Sequence, residues 1–531
     1  MSGSTVSDGV GMKDAFIGID LGTSSVKLGL VSIDKVTVGK TTRAYQLKIE
    51  RGGSAVQNPQ EWFDSVMSGV EELVADSKGL EIKGIGLTGQ WSGTIPVDRN
   101  GNALGDAIIW MDTRGSEEID RLTSGFPSLS GYRIDKLVRW LRKTGGAPAH
   151  SGKDSLAHIL YIKKELPDLY EKTYKFMEPK DYIAARLTGN FRASWDNIAL
   201  LWSTDNRDAN NVMYDSKLLR MSGISPEKLP EVVKPTDVVG TLNDEIRSKL
   251  GIGETKVISG CGDMACSLIG SGCIEDFKSL IYNGTSSWIT SHVPFKKTDI
   301  FHNIASLPSG IPGKYFIAAE QENSGNCMEF ISNFMEIKGE DKYSVIEKLA
   351  SESRSGSNGL IFLPWLFGER APIEDPYVRG GFYNLSLDNT KGDMVRSVME
   401  GVALNSKWLL NSVERFTGRR IQELYMSGGG ALSPARVKIF ASVLGRKIRV
   451  VSDPRFSTVV GAAMMAAVGL NRVKFLELSS LGEPFVDYLP DKDDNLYYER
   501  EFGQFIAYYK SNKRNLKESN MARLSRKVAY G

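Results

Sequence analysis

The sequence of 531 residues has little of what metal centres and disulfide frameworks are made from, since it contains four cysteines and four histidines. Cys261, Cys266 and Cys273 lie close together, but spacings of five and seven residues without a nearby histidine do not suit a zinc site. We therefore expect small buried cysteines, not a metal centre built from thiolates.

Excess charge and long apolar runs are lacking as well. The formal net charge is +2 with 24% charged residues, so nothing points to nucleic acid or a membrane as a partner. No stretch approaches the roughly 20 apolar residues of a membrane span. Met1 to Asp8 carry no pattern of a secretory signal, so we expect a cytoplasmic protein. The sequence leaves a monomer and a homodimer both open.

The length is too great for one hydrophobic core and predicts two large domains. A strand, a Gly-Thr-Ser-Ser turn and a second strand are predicted at 16–31 and again at 280–289. Such a repeat predicts that each half of the chain is built around one hairpin. We place the two domains at residues 12–272 and 273–531.

These two turns have a chemical use. Backbone N–H groups of a glycine-containing turn converge on one point and the hydroxyls add donors, so each turn can hold phosphate. The candidates are Gly22, Thr23, Ser24, Gly284 and Thr285. Asp20, at the mouth of the first turn, offers an oxygen ligand for a Mg²⁺ bound to that phosphate. For a single copy, a plain hairpin with a polar tip is the better explanation; the second copy favours phosphate binding.

Polar residues follow two further strands, predicted at 82–87 and 107–110. Open α/β sheets bind ligands at such strand ends. The candidate contacts for a substrate rich in hydroxyl groups are therefore Gln90, Trp91, Ser92, Asp112 and Arg114. A turn with a packed tryptophan and a surface ion pair is the structural alternative for each of them.

A carboxylate follows the strand that ends at Ser259. Gly260 and Gly262 bend the chain there, and a helix rich in small residues is predicted to begin near Asp263. An N-cap aspartate is the structural interpretation. The position of Asp263 on a glycine-flanked turn, about twenty residues before the second phosphate-type turn, favours a functional carboxylate.

A third glycine turn lies between a strand and a helix that carries Pro434 in its first turn. Its glycines allow the backbone to approach a nucleotide closely. The candidate nucleotide contacts are Gly428, Gly429, Gly430, Ala431 and Ser433. Residues 457–469 predict a helix of small residues packed beneath this turn.

Taken together, the motifs resemble the FGGY carbohydrate kinases, in family order from about residue 15 to 470. The motifs are Asp20-Leu-Gly-Thr-Ser-Ser, Gly89-Gln90, Trp110-Met-Asp-Thr-Arg114, Gly260-Cys-Gly-Asp-Met-Ala265, Gly284-Thr-Ser-Ser287, Phe362-Leu-Pro-Trp-Leu-Phe-Gly-Glu-Arg-Ala-Pro372, Asp375-Pro, Arg379-Gly and Ser427-Gly-Gly-Gly-Ala431. The long loop that contains Gly-Glu-Arg is the most specific of them.

The resemblance implies an α/β fold of two ribonuclease-H-like domains of the actin-like ATPase superfold, with ATP, Mg²⁺ and a sugar or polyol in the cleft between them. It implies that Asp263 is the general base and that Asp20 belongs to the Mg²⁺ and phosphate site. Gly284 and Thr285 then hold phosphate, and residues 428–431 hold the nucleotide. The family's sugar contacts fall on Trp91, Ser92, Asp112 and Asp263.

Within the family the sequence is most similar to the xylulokinase-like branch, with two departures. Xylulokinases have Gln-Met-His where this chain has Gln90-Trp91-Ser92, and an Asn where it has Met264. We expect phosphorylation of a ketopentose such as xylulose, or of a related ketose or polyol with another hydroxyl pattern. An actin-like or chaperone-type ATPase and a catalytically silent sugar-binding regulator are the alternatives.

Overall fold

The computed structural model describes residues 12–77 and 79–530, with side chains through Met521. Met1 to Asp8, which we interpreted as lacking a secretory signal, and Gly531, the last residue of the second predicted domain, lie outside the described residues. The described chain forms two large sheets, one from each half of the sequence, with helices packed on both. This two-sheet α/β architecture confirms the predicted fold class.

The first sheet has six strands. Its first three strands, Lys13–Leu21, Ser25–Ser32 and Thr37–Ala44, form an antiparallel meander. On the other side of Lys13–Leu21 lie Leu80–Gly89 and then Lys256–Ile258, both parallel to it. Val238–Thr241 closes the edge as an antiparallel strand. The third strand ends at Ala44, and a separate short strand, Lys48–Ile49, follows it outside this sheet.

The second sheet repeats this arrangement. The central pair Ser279–Asn283 and Ser287–Val293 is antiparallel, and Tyr315–Ala318 continues the meander. On the other side, Glu423–Ser427 and Lys447–Val450 run parallel to Ser279–Asn283. The remaining strands of this sheet are Thr298–Asp299, Ile304–Pro308, Glu320–Gln321 and Val486–Tyr488. The repeat inferred from two turns therefore extends to whole sheets.

Helices and short strands surround the two large sheets. The helices are Pro59–Ala75, Ser116–Thr123, Ile134–Lys143, Ser155–Glu165, Pro167–Lys172, Pro179–Thr188, Trp195–Ile198, Ser216–Ser222, Asp244–Leu250, Asp263–Gly270, Gly325–Phe334, Lys342–Glu352, Lys391–Thr417, Pro434–Leu444, Ser457–Gly469 and Lys492–Tyr530. The short strands outside the two sheets are Lys48–Ile49, Ala55–Gln57, Ile95–Val97, Ala107–Ile108, Ser128–Leu129, Tyr132–Arg133, Lys175–Met177, Arg192–Ser194, Thr204–Asp205, Met213–Tyr214, Glu231–Val233, Ile361–Leu363 and Gly381–Tyr383.

The helix Ser457–Gly469 joins the two halves of the molecule. It packs on the strands Lys13–Leu21 and Leu80–Gly89 of the first sheet and on the helix Asp263–Gly270. A Cβ atom at Gly86 would lie 1.8 Å from the carbonyl oxygen of Ala462, so only glycine allows this approach. The sequence predicted this helix correctly but placed it beneath the turn at 428–431, whereas it lies mainly against the first sheet.

All four cysteines are buried and free, and the burial of Cys261, Cys266 and Cys273 is what the sequence predicted. Cys261 Sγ lies 3.1 Å from Cys266 Sγ. In the part of the chain that the structure describes, no helix is long and apolar enough to cross a membrane.

Candidate active site

The two Gly-Thr-Ser-Ser segments, which we call the first turn (residues 22–25) and the second turn (residues 284–287), close in similar ways. The Gly22 N–H donates to Ser25 O at 3.1 Å, and the Gly284 N–H donates to Ser286 O at 3.0 Å. Each turn connects the two central antiparallel strands of its sheet. Thr285 is exposed at the tip of the second turn, which leaves its hydroxyl available to a ligand.

The hydroxyl of Thr23 in the first turn is already engaged. It accepts the indole N–H of Trp110 at 3.0 Å and donates to Gln90 Oε1 at 3.3 Å. Gln90 is buried, and its amide donates to Gln57 Oε1 at 3.0 Å. The structure therefore uses Gln90, a predicted substrate contact, to brace the first turn, while Ser24 is exposed at its tip.

Asp20 is buried at the end of the first strand, beside the first turn. Its Oδ2 accepts the hydroxyl of Thr458 at 2.6 Å and lies 3.5 Å from Lys27 Nζ. Burial works to lower the pKa of Lys27, but the charges of Asp20 and Tyr282 outweigh it and leave that pKa raised. Lys27 is thus held as a cation next to the turn that we expect to bind phosphate.

Tyr282 connects the first turn to the second. Its ring stacks on Trp288 at a centroid distance of 3.9 Å, just before the second turn. Burial raises the pKa of its phenol, which also interacts electrostatically with Lys27, Asp20 and Asp263. Asp20 and Lys27 belong to the first sheet, Tyr282 to the second and Asp263 to a helix, so these interactions place side chains from both halves of the chain near one another. The first hairpin, the second hairpin and Asp263 are therefore neighbours in the structure.

Asp263 is the first residue of the helix Asp263–Gly270, and the N-cap position is occupied by Gly262 without a side-chain hydrogen bond. The N-cap interpretation of Asp263 was therefore wrong. Its Oδ1 accepts only the N–H of Met264, at 2.7 Å, among the hydrogen bonds of the described residues. Burial, and then the charge of Asp20, raise the pKa of Asp263 to about 7.

Buried charges hold the turn that precedes Asp263. The Gly262 N–H donates to Asp196 Oδ2 at 2.7 Å, and Lys180 Nζ donates to Ser259 O at 3.1 Å. Lys180 is fully buried and pairs with Asp181 at 2.5 Å. Both ends of the turn are therefore anchored to helices of the first half of the chain, which fixes the direction of Asp263.

Trp91 covers the other side of this turn. A Cβ atom at Gly262 would lie 1.6 Å from Trp91 Nε1, so the indole packs directly on the glycine backbone. The Trp91 ring lies 5.5 Å from the ring of Phe316, and its N–H has no hydrogen-bond partner among the described residues. Met264 is buried beside it, and Ser92 is buried with a left-handed φ of 55°. The site presents an apolar wall here.

Asp112 lies beneath the surface of the cleft, with 1% of its area exposed. Its Oδ2 accepts the N–H of Ala55 at 2.8 Å, and its oxygens are 2.9 to 3.1 Å from Arg114 Nε. Arg114 in turn lies over the ring of Tyr161. With both oxygens engaged, Asp112 orients Arg114, and a direct contact to a sugar hydroxyl would require it to exchange these partners.

The third glycine turn (residues 428–431, hereafter the nucleotide turn) follows the strand Glu423–Ser427. Gly428 has a φ of +90°, which favours glycine, and its N–H donates to Pro454 O at 2.7 Å. A Cβ atom built at Gly429 would have no other atom within 4 Å, so the backbone is open to solvent there. Gly430 and Ala431 are buried below it. This is a surface that a flat or charged ligand can approach closely.

Ser433 caps the helix that follows. Its Oγ accepts the N–H of Arg436 at 3.2 Å and donates to Glu347. Because this hydroxyl is committed to the cap, Ser433 shapes the nucleotide turn and is not free to bind a nucleotide through its side chain.

Several residues of the site were missed from the sequence. Lys27 was detectable, because it is a charged residue within an otherwise apolar strand two residues after the first turn. Tyr282, Lys180 and Asp196 carried no comparable signal, since their roles depend on contacts between distant segments. Arg436 gave no signal either, because a lone arginine in a helix is ordinary.

The chain is similar to known proteins over most of its length. The xylulose kinase of Staphylococcus epidermidis is 28% identical over 526 residues, covering 94% of this chain and 98% of the relative. The gluconokinase of Bacillus subtilis is 26% identical over 472 residues, covering 87% and 89%. The crystal structure of a xylulose kinase from Lactobacillus acidophilus superposes with a TM-score of 0.81 at 24% identity, covering 94% of this chain and 98% of that one.

The chain thus folds as two α/β halves, each with a sheet built around a Gly-Thr-Ser-Ser hairpin. The family models of the FGGY carbohydrate kinases match both halves, the N-terminal domain at residues 15–270 and the C-terminal domain at 280–470. The chain belongs to the FGGY family of carbohydrate kinases. It is an ATP-dependent carbohydrate kinase.

Proposed function

We propose that this kinase transfers the γ-phosphoryl group of Mg²⁺·ATP to a hydroxyl of a ketopentose such as xylulose, or of a related ketose or polyol. The observation that carries the proposal is the position of Asp263. Its carboxylate, with a pKa of about 7, is a neighbour of Asp20, Lys27 and Tyr282. A base with such a pKa next to a phosphate-binding turn suits the transfer of a phosphoryl group to an alcohol.

Asp263 accepts the proton of the substrate hydroxyl. General-base efficiency is greatest when the pKa of the base lies near the working pH, which burial and the neighbouring Asp20 achieve for this carboxyl group. Anchoring of the turn by Asp196 and Lys180 keeps the carboxylate in one direction. The helix Asp263–Gly270 begins at this residue, and its dipole favours the ionised form.

The two turns and Lys27 neutralise the charge that spreads over the transferred group. Phosphoryl transfer passes through a loose transition state, so the protein mainly positions the reactants and balances charge. The Gly22 and Gly284 N–H groups close the turns, so the exposed tips at Ser24 and Thr285 and the ammonium group of Lys27 are held in place before the reaction, which makes them effective at this.

Asp20 fits the requirement of a Mg²⁺ that arrives with the nucleotide. Its Oδ2 is occupied by Thr458 and approached by Lys27, but its Oδ1 receives no hydrogen bond from the described residues. Among the described residues there is no cluster of three His, Cys, Asp or Glu side chains that could enclose a metal. Mg²⁺ carried by phosphate oxygens needs only one or two carboxylates, often through water. Mg²⁺ would supply charge neutralisation between the phosphates.

The expected sugar site contains apolar side chains, which cannot hydrogen-bond the hydroxyl groups of a ketose. Trp91 and Met264 provide an aromatic face and a thioether next to Asp263. The relatives named above include a xylulose kinase and a gluconokinase, which supports a linear substrate of five or six carbons. An aromatic face packs against the C–H face of a carbohydrate, so we place Trp91 against the carbon chain and leave the hydroxyl groups to Asp263 and Arg114.

The test is ADP release with Mg²⁺·ATP against xylulose, ribulose, gluconate, erythritol and glycerol. Turnover that depends on one ketose or polyol supports the proposal. Equal turnover without any sugar would indicate an ATPase instead, and sugar binding without turnover would indicate a regulator. Preference for gluconate over every ketose and polyol would refute the substrate part alone.

A further inference from the structure

Arg436 lies beside the nucleotide turn as a buried cation without a direct ion pair among the described residues. It belongs to the first turn of the helix Pro434–Leu444, and 9% of its surface is exposed. Its guanidinium donates to Asn283 Oδ1 at 3.3 Å and makes no ion pair with a carboxylate of the described residues. Glu347 is the acidic residue whose charge acts on Arg436. Its carboxylate accepts hydrogen bonds from the Ser433 hydroxyl and from the N–H of Ala435 instead.

The guanidinium of Arg436 lies between the nucleotide turn and the second turn. A Cβ atom at Gly430 would be 2.7 Å from Arg436 Nη1 and 2.2 Å from Asn283 Oδ1, so the group sits against the backbone of the nucleotide turn. Asn283 is the residue immediately before the second turn. Arg436 therefore bridges the nucleotide turn and the second turn.

A second group at this place also lacks a partner. The amide Nδ2 of Asn283 is buried without a hydrogen bond, while its Oδ1 accepts from both Arg436 and Ser324. A buried amide donor without a partner, beside a buried cation whose acceptor is a neutral amide oxygen, is a place that suits an acceptor of negative charge. Burial lowers the pKa of Arg436 to about 10, which still leaves it charged at neutral pH.

We propose that Arg436 is a nucleotide-binding residue whose guanidinium pairs with an α- or β-phosphate oxygen of the nucleotide held by the nucleotide turn and the second turn. The inference rests on the proposed use of this half of the molecule to bind ATP. It gives the guanidinium a charged partner at a place where the described structure offers it a single neutral acceptor. Guanidinium groups bind phosphate oxygens with short, charge-assisted hydrogen bonds.

The experiment is calorimetric titration of ATP, ADP and adenosine, without sugar, into the wild-type enzyme and the Arg436→Met and Arg436→Gln variants. We expect both variants to lose about tenfold to a hundredfold in affinity for ADP and ATP, since hydrogen bonds between charged groups have this strength. Adenosine, which has no phosphate, should bind within about twofold of wild type. Arg436→Gln keeps a donor for Asn283, so it tests the charge without removing the support of the second hairpin.

The control is Lys438→Met, which removes an exposed cation from the same helix and should leave all three affinities unchanged. Arg436→Lys should recover part of the affinity for ADP. Equal losses for ADP and adenosine would show that Arg436 only supports the fold, and unchanged ADP affinity in Arg436→Gln would overturn the inference directly. A wild-type enzyme that binds no nucleotide would instead overturn the proposed function as well.

Discussion

The hydroxyl of Thr458 donates a hydrogen bond of 2.6 Å to Asp20 Oδ2, although 438 positions separate the two residues. Thr458 lies in the first turn of the helix Ser457–Gly469, which comes from the second half of the chain and packs on the first sheet. The carboxylate expected at the Mg²⁺ site is thus oriented by a side chain from the other half of the sequence. Orientation of this carboxylate is coupled to the way the two halves pack.

Replacement of Thr458 by valine is expected to weaken the use of Mg²⁺·ATP. The side chain keeps its shape, but Asp20 loses a charged hydrogen bond, a loss that typically amounts to about 1.5 to 3 kcal/mol. We expect KM for Mg²⁺·ATP to rise about tenfold while KM for the sugar stays unchanged, measured by steady-state kinetics. Thr458→Ser keeps the hydroxyl and is the matched control; an equal defect in both variants would contradict the orienting role.

Removal of the general base is expected to reduce turnover and to leave nucleotide binding nearly unchanged. Asp263→Asn preserves the size of the side chain but cannot accept the proton, and general-base catalysis contributes roughly 10² to 10⁴ to a rate. We expect kcat to fall by about that factor, while ATP binding, measured by calorimetry, changes by less than about threefold. A variant that retains more than half of the wild-type kcat would exclude Asp263 as the base.

Protonation of Asp263 also predicts a link between pH and stability. The pKa is raised from its ordinary 3.8 to about 7, so the ionised form is disfavoured in the folded enzyme. Below pH 3.8 the carboxyl group is protonated in both states and costs nothing, and stability falls as the pH rises from there to about 7. Asp263→Asn should therefore be more stable than wild type above pH 7, by at most about 4 kcal/mol.

This gain should be smaller in practice, because the carboxylate keeps partial exposure to the cleft. The measurement is the difference in melting temperature between Asp263→Asn and wild type at pH 4, 6 and 8. The difference should grow over this series, in parallel with the rise of wild-type kcat to a plateau above about pH 7. A difference that is constant with pH would show that Asp263 is not ionised with a raised pKa.

Much of this architecture follows from local patterns, but the site does not. The hairpins around the first and second turns were predictable because glycine, hydroxyl residues and flanking apolar runs are contiguous in the sequence. Gln90 and Asp112 were correctly placed near strand ends, yet their side chains face Thr23 and Arg114 and not the open cleft. Which way a polar side chain points depends on partners far away in sequence, and no spacing rule encodes them.

Substrate choice should respond to the apolar wall beside the base. Trp91→Met together with Ser92→His and Met264→Asn restores the residue types that xylulokinases carry at these positions. Because a site that hydrogen-bonds a hydroxyl discriminates strongly, we expect kcat/KM for xylulose to change at least about tenfold relative to the enzyme's best substrate. KM for ATP is the control and should stay constant. Unchanged ratios across the sugar panel would show that these side chains do not contact the substrate.

The buried cation beneath the turn of Asp263 gives the last prediction. Lys180 is fully buried between Asp181 and the carbonyl of Ser259, so Lys180→Met leaves a buried carboxylate without its partner. Removal of one member of a buried ion pair costs about 3 to 5 kcal/mol, and the melting temperature should fall accordingly. Lys180→Met combined with Asp181→Asn removes one of the two buried carboxylates that Lys180 offsets and should recover part of this stability, while Asp196 stays without that cation. In both variants the turn that precedes Asp263 lacks the hydrogen bond from Lys180 to Ser259 O. We therefore expect kcat to be low in both, even where the melting temperature of the double variant recovers. Parallel recovery of kcat and melting temperature would show that Lys180 serves stability alone.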